Sequence, residues 1–279
     1  MAMFSHDLLF ERLTLKGGNA LQIVYGLGRR SSFDLDFSID GDFADFDELQ
    51  HIITGVLDSS FGEIGLRVFD VKIEGRPPEI SEELQEFWGG YEIRFKLISF
   101  SEAEQIGSNP EELRRRALPL SPTGSTQYSI DLSRHEYCGD RRRYKLDDFT
   151  IYVYSLEQIV GEKLRAICQQ MPEYGPIVRR QRPGAGRARD FIDIASILQQ
   201  RQIGVPSVEF SELVVKLFQA KRVPLSLLSR IEEQREVHRV DFVSVLTSIP
   251  PEDRPGVDYD DCFNRVVEIC RSLEPLWDV

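Results

Sequence analysis

The stretch that most constrains this chain is "LTLKGGNALQIVYGLGRRSSFDLDFSID", running from Leu13 to Asp40. An apolar strand pattern meets two adjacent glycines, a short amphipathic helix follows with Gly26 near its end, and "SFDLDFSI" then alternates apolar and polar residues at the strand period. Residues two apart on a strand share a face, so Asp34 and Asp36 present two carboxylates side by side while Phe33, Leu35 and Phe37 face the core. Like charges that close repel, and solvent, an arginine or a divalent cation must compensate. Hard oxygen ligands at a strand edge suit Mg2+, which keeps waters and is shared with substrate phosphates.

The glycine pair in "KGGN" permits positive φ and lets backbone approach a ligand, and the helix start beyond it favours an anion. Singly, a D-x-D pair also occurs on exposed strands and a double glycine makes ordinary turns. Together they predict a nucleoside triphosphate and its Mg2+ held between two neighbouring strands, the arrangement that nucleotidyl transfer requires. A third carboxylate would complete such a metal site. The strand "QYSIDLS" sets Asp131 among apolar neighbours and makes it the candidate, with Glu92 and Asp70 as rivals.

The rest of the 279 residues divides by periodicity. "FDELQHIITGVLDSSF" reads as a helix, and "GLRVFDVKIEG", "GYEIRFKLISF" and "STQYSIDLS" as strands separated by Pro/Gly-rich breaks. From Ser155 the helical period takes over, opening on the Ser-x-x-Gln capping signature of "SLEQIVGEKLRAICQQ". Further helices are expected in "ARDFIDIASILQQ", "SELVVKLFQA", "LSLLSRIEEQREV" and "DDCFNRVVEICRSL". The fold class expected is α+β, with a mixed-sheet core over 1–152 and a helical domain over 153–279 that completes the cleft.

Net charge of −12 argues against sequence-independent coating of nucleic acid, although arginines bunch at 114–116, 141–143 and 179–189. The start of the chain lacks a basic segment and a small-residue cleavage site, and no apolar run is long enough to span a membrane; a cytoplasmic location is expected. Cys138, Cys168, Cys262 and Cys270 are scattered without a C-x-x-C pair and read as buried thiols.

"KGGNAL" followed by "GLGRRSSFDLDFSI" resembles the opening motif of the DNA-polymerase-beta-like nucleotidyltransferases, and specifically the AbiEii-like toxins of abortive-infection and type IV toxin–antitoxin systems. That family reads Lys-Gly-Gly-Thr-Ala-Leu, then Arg-x-Ser-x-Asp-hydrophobic-Asp-Phe. Lys16, Gly17, Gly18, Ala20, Leu21, Arg30, Ser32, Asp34, Asp36 and Phe37 match it, and Asn19 departs where a hydroxyl is usual. The resemblance extends to Lys-Leu-x-Ala and Arg-Asp-x-x-Asp, met here as "EKLRAI" and "RARDFIDI". It implies a polymerase-beta-like core, with Mg2+ on Asp34, Asp36 and Asp131. It also implies phosphate contacts from Gly17, Gly18, Asn19, Arg30, Ser32 and Lys163, and a role for Asp190 in holding Lys163 or an arginine, or as a base. Asp193 is expected instead to stabilise a helix dipole.

The activity implied is transfer of a nucleoside monophosphate from an NTP to RNA, the tRNA 3′ end in some relatives, producing growth arrest countered by an antitoxin from a neighbouring gene. The loop 179–189 is the expected place for RNA phosphate contacts. Two alternatives stand beside it: the same chemistry on a small-molecule hydroxyl such as an aminoglycoside, and a nucleotide-binding module without turnover.

Overall fold

The computed structural model describes residues 2–27, 35–120 and 124–278. Seven strands form one mixed sheet: β1 (Leu13–Leu15), β2 (Leu35–Ile39), β3 (Leu66–Arg76), β4 (Gly90–Ser99), β5 (Tyr128–Ser133), β6 (Arg142–Leu146) and β7 (Phe149–Val153). Their order is β3-β4-β5-β2-β1-β7-β6. Most neighbours are antiparallel, but β2 runs parallel to β5 and β1 parallel to β7. The β6–β7 hairpin was not anticipated from sequence.

Helices α1 (Asp7–Arg12) and α2 (Gly17–Asn19) flank β1, and α2 widens into π-type turns over Ala20–Val24. α3 (Phe46–Gly62), α4 (Glu82–Gln85), α5 (Phe100–Ile106) and α6 (Pro110–Arg115) lie between the strands. Beyond the sheet come α7 (Leu156–Cys168), α8 (Ala188–Gln200), α9 (Val208–Ala220), α10 (Arg235–Arg239), α11 (Phe242–Thr247) and α12 (Tyr259–Ser272). The expected helix over "LSLLSRIEEQREV" is a 3-10 segment, Leu225–Gln234, followed by α10.

Local chemistry explains where the helices start. Asp45 accepts from the backbone N–H groups of Asp47 and Glu48 at the head of α3, and Asn109 does the same ahead of Pro110 in α6. At α7 the capping box forms: Gln158 N donates to Ser155 Oγ at 3.1 Å and Ser155 N to Gln158 Oε1 at 3.2 Å. α7 buries Ile159, Val160, Leu164, Ile167 and Cys168, a helical-period face packed against α8 and α9. α12 packs on α8, where Phe191 and Phe263 stack with centroids 4.9 Å apart.

The main apolar core runs from Met3 through the sheet to Leu273 and joins strands with C-terminal helices, and a small second cluster of Ile98, Ala103 and Leu113 sits under α5 and α6. All four cysteines are buried. Among the described residues, no helix is long and apolar enough to cross a membrane.

Candidate active site

The parallel pairing of β2 with β5 sets Asp36 directly beside Asp131 in register. Lys16, at the end of β1, donates its backbone N–H to the Asp36 carbonyl at 3.0 Å, which draws the glycine bend up against the same strand. Gly17 has φ +69, and a Cβ there would stand 2.7 Å from Asp36 Oδ2. Only glycine meets both conditions, a left-handed backbone and contact with a carboxylate. The Asp36 carboxylate therefore lies against the diglycine bend. Asp34, Arg30 and Ser32 lie outside the described residues.

Among the described residues the Asp36 carboxylate makes no hydrogen bond or salt bridge. Burial pushes its pKa up to about 6; the Lys16 ammonium opposes this, and Glu162 and Asp131 add to it. Asp131 accepts from Arg76 Nη1 at 2.8 and 3.1 Å. Of the two rivals, Glu92 is the cross-strand neighbour of Asp131 on β4, 3.8 Å from Arg76. Asp70 sits at the irregularity in β3 with φ +52, paired with Arg114, whose hydrogen bonds hold its carboxyl below the usual range. Register thus aligns Asp131 with Asp36 and leaves Asp70 apart from them.

Facing the carboxylates across a cavity of about 360 Å³ are α7 and the start of α8. Lys163 Nζ donates to Asp190 Oδ1 at 2.8 Å and to Asp193 Oδ2 at 2.7 Å, all three groups being buried. Arg187 also donates to Asp190. Burial works against each charge, but the two cations hold the Asp190 carboxyl far below its ordinary value, and the two carboxylates raise Lys163. The three-residue spacing of Asp190 and Asp193 brings both to one ammonium. Asp193 is thus an ion-pair partner of Lys163, which corrects the expectation that it serves the helix dipole.

A diglycine bend against an aligned pair of strand carboxylates, opposite a lysine held by an Arg-Asp-x-x-Asp helix, is the decisive arrangement. A family model described as nucleotidyl transferase AbiEii toxin, type IV TA system, matches residues 1–265. The chain belongs to the AbiEii toxin family. It is a nucleotidyltransferase with an α+β fold. Among solved structures, JHP933 from Helicobacter pylori is 14% identical with a TM-score of 0.45, the match covering 96% of this chain and 85% of that one. An antigenic nucleotidyltransferase-like protein from Paracoccidioides brasiliensis is 17% identical with a TM-score of 0.30, covering 77% and 83%. No curated protein matches.

This AbiEii-family chain also carries a buried charge cluster that its sequence pattern did not reveal. Lys16 Nζ donates to Glu162 at 2.8 Å and reaches Glu136 at 3.5 Å. Arg165 bridges the same two carboxylates at 3.1 and 3.2 Å, and Lys221 lies 3.4 Å from Glu136. Burial opposes the charge on Glu136, but Arg165, Lys16 and Lys221 together bring it down to about 2. Desolvation brings Lys221 down to about 8, with Glu136 resisting. Lys16, Glu162 and Arg165 stood inside quoted motifs and could have been flagged; Glu136 and Lys221 carried no local signal.

The arginines of the loop 179–189 divide by partner. Arg180 donates to the carbonyls of Gln169, Gln170 and Met171 and so closes the C-terminal end of α7. Arg179 pairs with Glu83, and Arg187 with Asp190. Arg189 faces the cavity, and Arg182 is exposed. Of the loop arginines expected to meet phosphate, Arg180 is thus engaged with backbone carbonyls instead.

Proposed function

We propose that the protein moves a nucleoside monophosphate from an NTP to an RNA hydroxyl, the tRNA 3′ end, in a Mg2+-dependent reaction in the cytoplasm. Its toxicity would be countered by an antitoxin encoded by a neighbouring gene. One observation carries the reading: Asp36, desolvated and without a hydrogen-bonding or ion-pair partner among the described residues, lies in register with Asp131 and against the Gly17 bend. Two strand carboxylates that share a pocket, one unneutralised, are the oxygen donor set a hard cation takes, and Asp34 stands two residues before Asp36 on the same alternating pattern.

Asp34, Asp36 and Asp131 would hold the ion, which when bound would neutralise triphosphate charge and lower the pKa of the acceptor hydroxyl. The chain's own residues do the rest. Five cationic side chains and four carboxylates line the cavity of a protein whose net charge is −12, so the site is locally basic and draws in a polyphosphate. Gly17 and Gly18 leave the bend open to phosphate oxygens, and the family motif assigns phosphate contacts to Asn19, Arg30 and Ser32 as well. Asp190 positions Lys163 and Arg187, whose charges compensate the leaving group. The acceptor oxygen bonds the α-phosphorus as the α–β bridge breaks, the electron pair leaves with pyrophosphate, and the acceptor proton passes to solvent.

The test is incubation with each labelled NTP, Mg2+ and either total RNA or an aminoglycoside, with Asp36→Asn alongside. Label in tRNA, lost at least ~100-fold in Asp36→Asn, is the expected result, as for removal of a group that stabilises transition-state charge. Label only in the aminoglycoside would replace the acceptor, and nucleotide binding without product would remove turnover.

A further inference from the structure

A second cavity of about 440 Å³ opens on the other side of the carboxylate pair, sharing Lys16, Asp36, Arg76 and Asp131 with the first. The two lobes differ in chemistry. The first is built of charged groups and the glycine bend. The second adds Trp88, just ahead of β4, and Tyr91 within it, beside Gln169 and the buried charges Glu136, Arg165 and Lys221.

The aromatic pair is brought there by the backbone. Gly89 has φ +107, and a Cβ on Gly90 would stand 2.1 Å from the Leu132 carbonyl oxygen, so the Trp88–Tyr91 turn lies directly on β5 beside Asp131. In the register of that pairing Tyr91 faces Leu132 and Glu92 faces Asp131. Trp88 is only partly buried although the core lies next to it. Two neighbours hold its ring: Lys221 Nζ lies over it, 5.5 Å from the centroid, and the Tyr174 ring is 6.1 Å away. Lys221 is itself anchored on Glu136 and the Arg134 carbonyl. A tryptophan immobilised at a cavity wall, next to the phosphoryl-transfer carboxylates, suits a flat, uncharged π-system.

We propose that this lobe is a nucleobase subsite, in which a base stacks on Trp88 while the reacting group of the same nucleotide, its α-phosphate or its 3′ hydroxyl, lies toward the Lys16, Asp36, Arg76 and Asp131 shared by both lobes. The inference rests on the transferase reading and adds the half of the substrate that the charged lobe leaves unrecognised. The base comes from either the incoming NTP or the 3′ end of the acceptor. Both present the same face, and the experiment separates them.

The chain has two tryptophans, so Trp277→Phe leaves Trp88 as the sole indole emitter. That variant is titrated separately with the four NTPs, with tripolyphosphate and with a short oligoribonucleotide bearing a free 3′ hydroxyl. Saturable quenching by an NTP with tripolyphosphate silent identifies the incoming nucleotide. Quenching by the oligoribonucleotide with the NTPs silent identifies the acceptor end. Either supports the subsite. No quenching by any base-containing titrant, or equal quenching by tripolyphosphate, overturns it.

Should Trp277→Phe fold poorly, the difference in emission between the parent and Trp88→Phe gives the same readout. Trp88→Ala should weaken binding of the quenching ligand about ten-fold or more, and Trp88→Phe should retain most of it, in keeping with the worth of one stacked base. Transfer with a silent Trp88 would defeat the subsite alone. A responsive Trp88 without transfer would defeat the activity and leave the subsite standing.

Discussion

Replacing Lys163 with methionine tests whether the lysine facing the cavity is first of all part of the frame. Its side chain is 9% exposed, and those of Asp190 and Asp193 are 2% and 8%, with Nζ–O distances of 2.8 and 2.7 Å. Breaking a buried ion pair by removing one partner costs about 3–5 kcal/mol, because the charge left behind remains desolvated. Arg187 still holds Asp190, which favours the lower part of that range. For a chain of this length, with about 2.1 cal/mol/K of unfolding entropy per residue, the loss corresponds to a melting temperature lowered by ~5–9 °C at pH 7.

Urea titration monitored by circular dichroism reads the free energy, and an unchanged m-value confirms that the same surface is exposed. The sign of the pH dependence follows from Asp190, whose carboxyl is held far below its ordinary 3.8 in the folded parent. That stabilisation is present above pH 3.8 and is lost as pH falls below it. The deficit of Lys163→Met should therefore shrink below about pH 4. In an Asp190→Asn, Asp193→Asn background the same substitution should cost far less, since the three groups act as a unit. A melting temperature within 2 °C of the parent at pH 7, about 1 kcal/mol or less, would refute the reasoning.

Gly17→Ala sets a methyl group 2.7 Å from Asp36 Oδ2 on a backbone with φ +69; it should lower stability by about 1–3 kcal/mol and reduce transfer more than melting, read by labelled-NTP turnover beside calorimetry. A variant with native turnover would show that the close approach is dispensable. His238 is buried beside Phe191 with its pKa brought down to about 4 by desolvation, Arg187 also lowering it and Asp190 and Asp241 opposing. Its folded value lies below the unfolded 6.5, so stability is full above pH 6.5 and falls toward pH 4. Asp36, raised to about 6, acts in the opposite sense, so the difference between parent and His238→Phe isolates the imidazole. That difference should move in favour of the variant by up to ~3 kcal/mol between pH 6.5 and 4, and parallel stability curves would refute it.

Features with a local cause were legible in the sequence. The alternation around Asp36 gave β2, the serine and glutamine three apart gave the capped start of α7, and the apolar period gave α8 and α12. The alignment of Asp131 with Asp36 was suggested only through its apolar neighbours; the register that produces it belongs to the sheet. Arg76 with Asp131, and Glu136 with Lys16, Arg165 and Lys221, join residues between 29 and 120 positions apart, and no sequence period encodes such pairs. The β6–β7 hairpin escaped notice because "RRYKL" carries charges at an exposed edge, where burial imposes no alternation. Arg180 looked like a nucleic-acid contact for the same reason: a cation that satisfies helix-end carbonyls has the same letter as one that faces solvent.

The junction after β7 decides how the wall of the cleft behaves. Val153 ends a strand paired to β1, and Tyr154, fully buried, donates its N–H to Leu15 O and bonds Ser38 Oγ at 2.7 Å through its hydroxyl. Ser155 then caps α7 at once. No slack separates the sheet from the helix that bears Glu162, Lys163 and Arg165. Swinging α7 away would break the Tyr154–Leu15 main-chain hydrogen bond in the interior, so the junction ties this wall of the cleft directly to the sheet.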